Sequence, residues 1–277
     1  MTSRPRPPER LEKTLARVAR EQGVDQERLR RWVSFLAICG LLERALAGGI
    51  LGAYHLKGGV AMELRFAQQA RATKDLDLGI DTTRANRLQT LSAALNLGFD
   101  QFTFRVKAQT RDMEQADTIR VQVALQYKTR SWQTIDVDLG PAQLDHIDLI
   151  APRVHGLAEL GIPVVSPVRC LRLADQVAQK LHACTGPFSA GRARDVLDIL
   201  LIDTLGELDY SEAEKSARGI FDERSTHGFP PDATIPPEWG PELEALARDL
   251  GFPIKTASEM QQRFREFVGM LVRAGDA

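Results

Sequence analysis

Two carboxylates one residue apart, Asp75 and Asp77, stand in the run Thr73-Lys-Asp-Leu-Asp-Leu-Gly-Ile80. Side chains of an extended chain alternate, so Thr73, Asp75 and Asp77 share one face while Leu76, Leu78 and Ile80 share the other. Like charges side by side repel, and partial burial adds a desolvation cost. A hard cation that takes oxygen ligands, magnesium first, relieves both. A second segment, Thr134-Ile-Asp-Val-Asp-Leu139, repeats the pattern: Asp136 and Asp138 face one way, Ile135, Val137 and Leu139 the other. If the two strands are neighbours, three carboxylates converge on a site for two cations. That arrangement stabilises both the attacking and the leaving oxygen in phosphoryl-group displacement.

Other residues can complete such chemistry. Gly58-Gly59 allows the backbone to pass close to a ligand and then opens a helix, whose free amides and positive dipole end favour phosphate. Alone the pair is a plain tight turn, and the acidic strand beside it in sequence is what makes it informative. On a helical wheel Lys180 lies at the margin of the arc formed by Leu173, Val177, Leu181 and Cys184. Its ammonium either holds a triphosphate as a point charge or simply snorkels to water. Asp195 and Asp198, one turn apart, orient that lysine, receive a substrate proton, or pair with Arg192 and Arg194. Thr73 offers a hydroxyl to a phosphate or is an ordinary strand residue.

Several chemistries are excluded. His55, His146, His155, His182 and His227 show no i, i+4 pair and no adjacent cysteine, so no zinc site is expected and they read as structural or surface residues. There is no Gly-x-Ser-x-Gly elbow, no Walker-type loop and no three-glycine dinucleotide fingerprint, which removes serine hydrolase, P-loop and Rossmann readings. Basic and aromatic residues interleave from Arg120 to Trp132, and Arg192 to Arg194 is a small basic cluster. Either tracks a nucleic-acid backbone or is solvated charge.

The elements that must position these residues follow from periodicity. After a Pro/Arg tail, Leu11, Leu15 and Val18 recur at helical spacing, and a second helix runs from a cap at Asp25 through Trp32, Leu36 and Leu41 until Gly48-Gly49 stops it. A strand around Tyr54 to Leu56, the glycine turn, a helix through Met62 and Leu64, and a strand over 74–80 form a strand, turn, helix, strand unit. A helix over 84–97 and strands over 102–107, 118–127 and 133–139 come next, implying a mixed sheet. From Pro167 the pattern turns helical: 168–184, 192–204, 211–220, 241–250, and 258–273 opened by a Ser258…Gln261 capping box. A Pro-rich connector spans Gly228 to Gly240, and the composition shift near 165 is the expected domain boundary.

A chain of 277 residues that is 43% hydrophobic and 26% charged is long enough to bury one elaborate domain or two modest ones. Its formal net charge of -1 argues against a polycation that coats nucleic acid in bulk. No apolar stretch approaches the roughly 20 residues of a membrane span, and the opening Met-Thr-Ser-Arg-Pro-Arg-Pro-Pro has no apolar signal region. A cytoplasmic protein with no membrane partner is expected. Cys39, Cys170 and Cys184 are far apart without a Cys-x-x-Cys pair, which predicts reduced core thiols.

Taken together these pieces resemble the nucleotidyltransferase superfamily, whose pattern is a Gly-Gly or Gly-Ser turn, a helix, and a strand bearing Asp-x-Asp or Asp-x-Glu. More narrowly the chain resembles the AbiEii family of toxins, which includes the mycobacterial MenT toxins. The matching residues are Leu56-Lys57-Gly58-Gly59 with Met62 and Leu64, Arg71-x-Thr73-x-Asp75-Leu76-Asp77-Leu78, Ile135-Asp136-Val137, Gln179-Lys180-Leu181-His182-Ala183 and Arg194-Asp195-Val196-Leu197-Asp198-Ile199. The Thr226-His-Gly-Phe-Pro-Pro and Pro-Pro-Glu-Trp239 segments are similar too. Three departures stand out: the second turn residue is Gly59 where the superfamily often has serine, the fifteen residues from Val60 to Lys74 make a slightly long spacer, and Asp175 stands five residues before Lys180 where the family often has glutamate.

The resemblance implies an α+β fold: an α/β nucleotidyltransferase core with a mixed sheet, followed by a C-terminal helical bundle. Residues 1–50 are then helices packing on the core, 51–165 the nucleotidyltransferase domain, and 166–277 a helical domain contributing lysine and aspartate to the site. It implies an enzyme that transfers a nucleoside monophosphate from a nucleoside triphosphate and releases pyrophosphate. Asp75, Asp77 and Asp136 would hold magnesium, two ions in all, and Lys57, Gly58, Gly59, Thr73 and Lys180 the nucleotide's phosphates. Asp195 would be an orienting residue or base, and Asp138, Arg194 and Asp198 further members. The acceptor implied is RNA, at the transfer RNA 3′ end, in a toxin checked by a partner antitoxin. The alternatives are a small-molecule acceptor such as an aminoglycoside hydroxyl, a protein acceptor, or a module that binds nucleotide or RNA without catalysis.

Overall fold

The computed structural model describes residues 7–113, 117–143, 147–154, 158–163, 165–205 and 208–276, with the backbone alone for 108–113. The start of the Pro/Arg tail, His146 and His155 lie outside the described residues. The chain divides into two compact units, Met1–Gln68 with Ala72–Leu171, and Gln69–Arg71 with Arg172–Ala277.

In the first unit two helices precede the sheet, α1 (Pro8–Gln22) and α2 (Gln26–Ala47). Asp25 caps α2 by accepting from the Arg28 amide at 2.9 Å, so one of the first-turn donors that a helix leaves unpaired is satisfied. Most of α2 is interior, from Trp32 and Phe35 to Leu41 and Leu42. Strand β1 (Tyr54–Lys57), helix α3 (Gly58–Phe66) and strand β2 (Asp75–Ile80) form the strand, turn, helix, strand unit. Helix α4 (Arg84–Leu95) leads to β3 (Phe102–Met113), β4 (Thr118–Tyr127) and β5 (Arg130–Pro141), with β6 (Ile147–Ile150) and β7 (Val168–Leu171) completing the strands.

The sheet order is β3-β4-β5-β2-β1-β7-β6. β2 runs parallel to β5 and β1 parallel to β7, while β1 and β2 are antiparallel, so the sheet is mixed. Its apolar face is continuous: Leu76, Leu78, Ile80, Ile135, Val137, Leu139, Val121 and Val123 are all buried in one core. The fold is therefore α+β.

Three local expectations are corrected. Val168 to Leu171 is a strand, and the helix α5 starts only at Leu173 and runs to Thr185. Four residues are too few to display a period of two, and pairing with β1 and β6 makes them extended. Strand β6 is unread for the same reason. Thr73 precedes β2 instead of lying within it.

Basic and aromatic residues between Arg120 and Trp132 do not form a nucleic-acid track. Tyr127 and Trp132 are buried, packed edge-on against Phe102 with ring centroids 5.0 and 5.7 Å away. The Trp132 indole donates to Ser34 Oγ at 3.0 Å. Rings sealed in such a cluster have no face left for a base.

The second unit is helical: α5 (Leu173–Thr185), α6 (Ala193–Leu205), α7 (Tyr210–Arg224), α8 (Gly240–Leu250) and α9 (Ala257–Gly275). α5 packs on α6 and α7, and α6 on α8 and α9, which makes a bundle. The capping box of α9 is Thr256…Glu259, not Ser258…Gln261. Both spacings fit the motif, and a charged glutamate at the positive end of the helix dipole is favoured over a neutral glutamine.

Candidate active site

The polar face of the sheet carries the acids in two cross-strand rows. Asp75 of β2 is in register with Asp136 of β5, which in turn faces Gln122 of β4. One step along, Lys57 of β1, Asp77, Asp138 and Arg120 form the second row. Residues in register across neighbouring strands share a face, so four carboxylates from two distant chain segments stand on one surface. The condition that the sequence left open, whether the two acidic strands are neighbours, is met.

The surroundings of the four acids differ. Asp138 is 9% exposed and taken by Arg120 in a fork, Nε to Oδ1 at 2.6 Å and an Nη to Oδ2 at 2.5 Å. The same guanidinium comes within 3.8 Å of Asp75 Oδ2. Gln122 donates its amide to Asp136 Oδ1 at 3.0 Å. The Asp75 carboxyl is pushed above its ordinary range, first by burial and then, against the pull of Arg120, by the neighbouring Asp138 and Asp136. Negative charge is thus crowded here, as the spacing implied.

The glycine turn is built around these acids. Gly58 has φ +61°, a left-handed conformation that suits glycine, and a Cβ placed on it would stand 2.8 Å from the Asp77 carboxyl carbon and closer still to Oδ2. The Asp77 carboxylate therefore packs directly on the Gly58 backbone. A Cβ on Gly59 would meet Thr73 Cβ and Oγ1 at 2.7 Å. Lys57 Nζ lies over Gly140, 3.2 Å from where a Cβ would sit there, which places its ammonium on the acid face.

Thr73 is held from behind by Glu63, the one acid of helix α3, with no exposed surface. Glu63 accepts from the Thr73 amide at 3.0 Å, from Arg28 Nε at 2.7 Å and from the Trp32 indole at 2.9 Å. Burial raises its carboxyl above the usual value even with Arg28 alongside. Sequence reasoning missed Glu63, although a lone acid among Val60, Ala61, Met62 and Leu64 was a visible signal. Arg120 and Gln122 were missed as well, because their role depends on strand register.

Among the described residues, no three His, Cys, Asp or Glu side chains are grouped closely enough to hold a metal ion. Magnesium asks for less than that: it retains several waters and is bound through one or two carboxylates together with substrate phosphates. Asp75 and Asp136 on adjacent strands, with Asp77 beside them, supply hard oxygen donors that fit this requirement.

In the second unit Lys180 is buried between two acids, Nζ donating to Asp195 Oδ1 at 2.8 Å and to Asp198 Oδ2 at 2.7 Å. Burial alone would lower its pKa, and the two carboxylates reverse this and raise it, so the side chain is a fixed cation. Arg71 forks onto Asp198, with both contacts at 3.1 Å, and burial there is outweighed by Lys180 and Arg71, which hold the Asp198 carboxyl below its ordinary value. Asp195 also lies 3.5 Å from Arg192, while Arg194 turns to Glu242 at 3.4 Å. Both aspartates pair with Lys180, Asp195 pairs with Arg192 as well, and Arg71 is an unanticipated partner of Asp198.

His182 and His227 are also in this unit, with ring centroids 4.7 Å apart and Thr226 Oγ1 hydrogen-bonded to both. Phe188 is 85% exposed, in the segment between α5 and α6, four residues before Arg192 in the sequence. All three cysteines are buried thiols. Among the described residues no helix is long and apolar enough to cross a membrane.

Comparison with known proteins adds the following. A family model described as "Nucleotidyl transferase AbiEii toxin, Type IV TA system" matches residues 41–277. No curated protein matches the chain in sequence closely enough to count as a relative. Among solved structures, MenT4, a nucleotidyltransferase toxin from Mycobacterium tuberculosis H37Rv, is similar at TM-score 0.60 and 16% identity, covering 93% of this chain and 89% of its own. The antibiotic-resistance factor ANT(2'')-Ia matches at TM-score 0.39 and 14% identity, over 70% of this chain and 94% of its own. An antigenic nucleotidyltransferase-like protein from Paracoccidioides brasiliensis matches at TM-score 0.41 and 15% identity, over 80% and 94%.

Proposed function

Because the chain belongs to the AbiEii family of nucleotidyltransferase toxins of type IV toxin–antitoxin systems, we propose that it transfers a nucleoside monophosphate from a nucleoside triphosphate to an RNA acceptor, the 3′ end of transfer RNA, and thereby blocks translation. The observation that carries the chemistry is the register of Asp75 with Asp136, with Asp77 one step along the same face and packed on Gly58. In the reaction an acceptor hydroxyl oxygen bonds to the α-phosphorus, the bond to the β-phosphate oxygen breaks, pyrophosphate leaves and the hydroxyl proton passes to a base or to water. Magnesium, when bound, neutralises charge on the triphosphate and on the departing pyrophosphate.

The protein's own residues have distinct tasks. Asp75 and Asp136, with Asp77 beside them, would hold the cation together with the oxygens of the triphosphate. The Gly58-Gly59 turn, with Lys57 and the Thr73 hydroxyl, receives phosphate, and Glu63 fixes the Thr73 backbone. Lys180 is assigned to phosphate as a permanent cation, and Asp195 to orienting it. An exposed aromatic, Phe188, with Arg192 and Arg194 at hand is the combination that takes an unpaired nucleotide by stacking and phosphate contact, and it favours RNA over a compact drug as acceptor. A cognate antitoxin acts as the partner that silences the toxin, in the cytoplasm.

Incubation with transfer RNA, magnesium and each of the four labelled triphosphates tests this. Label should enter RNA with at least one of them and vanish in Asp75→Asn, Asp136→Asn and Lys180→Met. No label with any triphosphate removes the RNA reading, and label on an aminoglycoside instead moves the protein to the small-molecule class.

A further inference from the structure

The polar face of the sheet extends past the acids. Beyond the row of Asp75, Asp136 and Gln122 the register continues as Thr134, Ala124 and Arg105, and then as Ser131, Gln126 and Thr103. We infer that these two outer rows, with Lys107 beside them, seat the sugar-phosphate backbone of the RNA acceptor and present its terminal hydroxyl to the acids. The inference rests on the RNA reading given above and adds to it the surface, and the residues, that would hold the acceptor.

Exposure is the first observation. Thr103, Arg105, Lys107, Gln126, Ser131 and Thr134 are all exposed, although the same three strands bury Phe102, Phe104, Tyr127 and Trp132 in the core. A face left open across three strands, with the small Ala124 at its centre, has room for an extended chain laid on it. Charge is the second. The outer rows contain no carboxylate; Arg105 and Lys107 are the cations there, and among the described residues neither is paired with an acid. The acid rows begin one register step inward, about 7 Å along the strands, and have Lys57, Lys74 and Arg120 among their own cations. The reacting end of an RNA acceptor is an uncharged hydroxyl and every linkage behind it is an anion, so the change from acids to cations across the face matches the change along the RNA strand.

The backbone supplies a third observation. The register shift between Val106 and Ala108 makes Lys107 the extra residue of a bulge in β3, the strand at the edge of the sheet. Bulges re-aim a side chain and are frequent beside active sites. The hydroxyls of Thr103, Ser131 and Thr134 and the amide of Gln126 suit phosphate and 2′-hydroxyl oxygens, contacts that position RNA without reading its sequence. These rows carry no ring on which a base could stack, so binding here should be independent of base identity.

The experiment is an anisotropy titration of labelled transfer RNA with the full-length protein over a series of salt concentrations, without triphosphate, for the wild type, Arg105→Gln, Lys107→Gln and the double variant, with circular dichroism to confirm folding. Lys13→Gln is the control: it removes an equal charge from an exposed position on α1, whose Leu11, Leu15 and Val18 belong to the core on the opposite, apolar face of the sheet. Arg105→Gln and Lys107→Gln should each lower the slope of log affinity against log salt by about one and weaken binding roughly five- to eightfold at about 0.1 M salt, with the two effects adding in the double variant. Lys13→Gln should match the wild type. In the transfer assay the KM for RNA should rise by the same factor while the KM for triphosphate holds. Gln126→Glu, which sets a negative charge in the outermost row, should weaken RNA binding too. Shelf variants that bind RNA no more weakly than Lys13→Gln overturn the inference. So does polyglutamate that binds the wild type as tightly as RNA, which points to an acidic protein as the occupant. A wild type with no affinity for RNA removes the RNA reading and this surface with it, whereas a wild type that binds and labels RNA, with the shelf variants unaffected, loses this inference alone.

Discussion

Replacing Gly58 with alanine tests whether the acids are positioned by the backbone of the turn. The left-handed φ of +61° costs a side-chain-bearing residue about 1 to 2 kcal/mol. The new methyl would also stand 2.8 Å from the Asp77 carboxyl carbon, where carbon atoms pack at about 3.5 to 4.0 Å, so the carboxylate must retreat by roughly 1 Å. A displacement of that size in a catalytic group lowers the rate about 100-fold.

Gly23 provides the control. Its φ is +64°, nothing lies within 4 Å of an added Cβ, and it follows α1 in the same unit. Gly23→Ala should therefore show the backbone strain alone, about 1 to 2 kcal/mol in urea unfolding, with the transfer rate per folded molecule unchanged. Gly58→Ala should show at least that loss together with the roughly 100-fold fall in rate, measured as initial label incorporation at saturating triphosphate. A Gly58→Ala protein that transfers at the wild-type rate, or that loses no more activity than Gly23→Ala, refutes the idea that Asp77 is placed by its contact with the turn.

Three further outcomes are expected. Asp198→Asn leaves Lys180 and Arg71 facing one carboxylate fewer in a setting only 2% exposed, so urea unfolding should show a loss of about 3 to 5 kcal/mol; Arg194→Ala, whose ion pair to Glu242 is solvent-exposed, should cost less than about 1 kcal/mol. The His182 imidazole is held down to about 4, by burial first and then by Arg224 and His227. The unfolded chain therefore binds the extra proton first, and the urea midpoint should fall as pH drops from about 6.5 toward 4; a flat midpoint across that window in the wild type would contradict the buried, neutral assignment. If RNA is the acceptor, the logarithm of its affinity should decline linearly with the logarithm of salt concentration, since phosphate contacts release counterions, and a salt-independent affinity in a filter-binding or anisotropy titration would point to a small acceptor.

Much of this protein was legible one segment at a time. A period of two in Thr73 to Ile80 and in Ile135 to Leu139 identified which carboxylates share a face, because alternation is a property of the extended backbone itself. The Asp25 cap and the glycine turn were similarly local, each resting on the conformational preference of a single residue. The alternation of strands with helices, followed by helices alone, was enough to expect a mixed sheet followed by a helical half. Two of the three four-residue strands escaped: Val168 to Leu171, for one, is extended because β1 and β6 supply its hydrogen bonds, and nothing within its own residues records that.

What the sequence could not decide was which polar side chains meet. Asp75 reaches Asp136 only through the parallel pairing of β2 with β5, and Arg120 reaches Asp138 only through the antiparallel pairing of β5 with β4. A one-residue slip in either register would turn the acids to the apolar face. That Lys180 meets Asp195 and Asp198 likewise follows from the packing of α5 on α6. The sequence by itself determined a set of acids, a turn and a lysine at the margin of an apolar helix face. The tertiary structure decided which side chain stands beside each of them, because neighbours in space are set by strand register and helix packing and not by spacing along the chain.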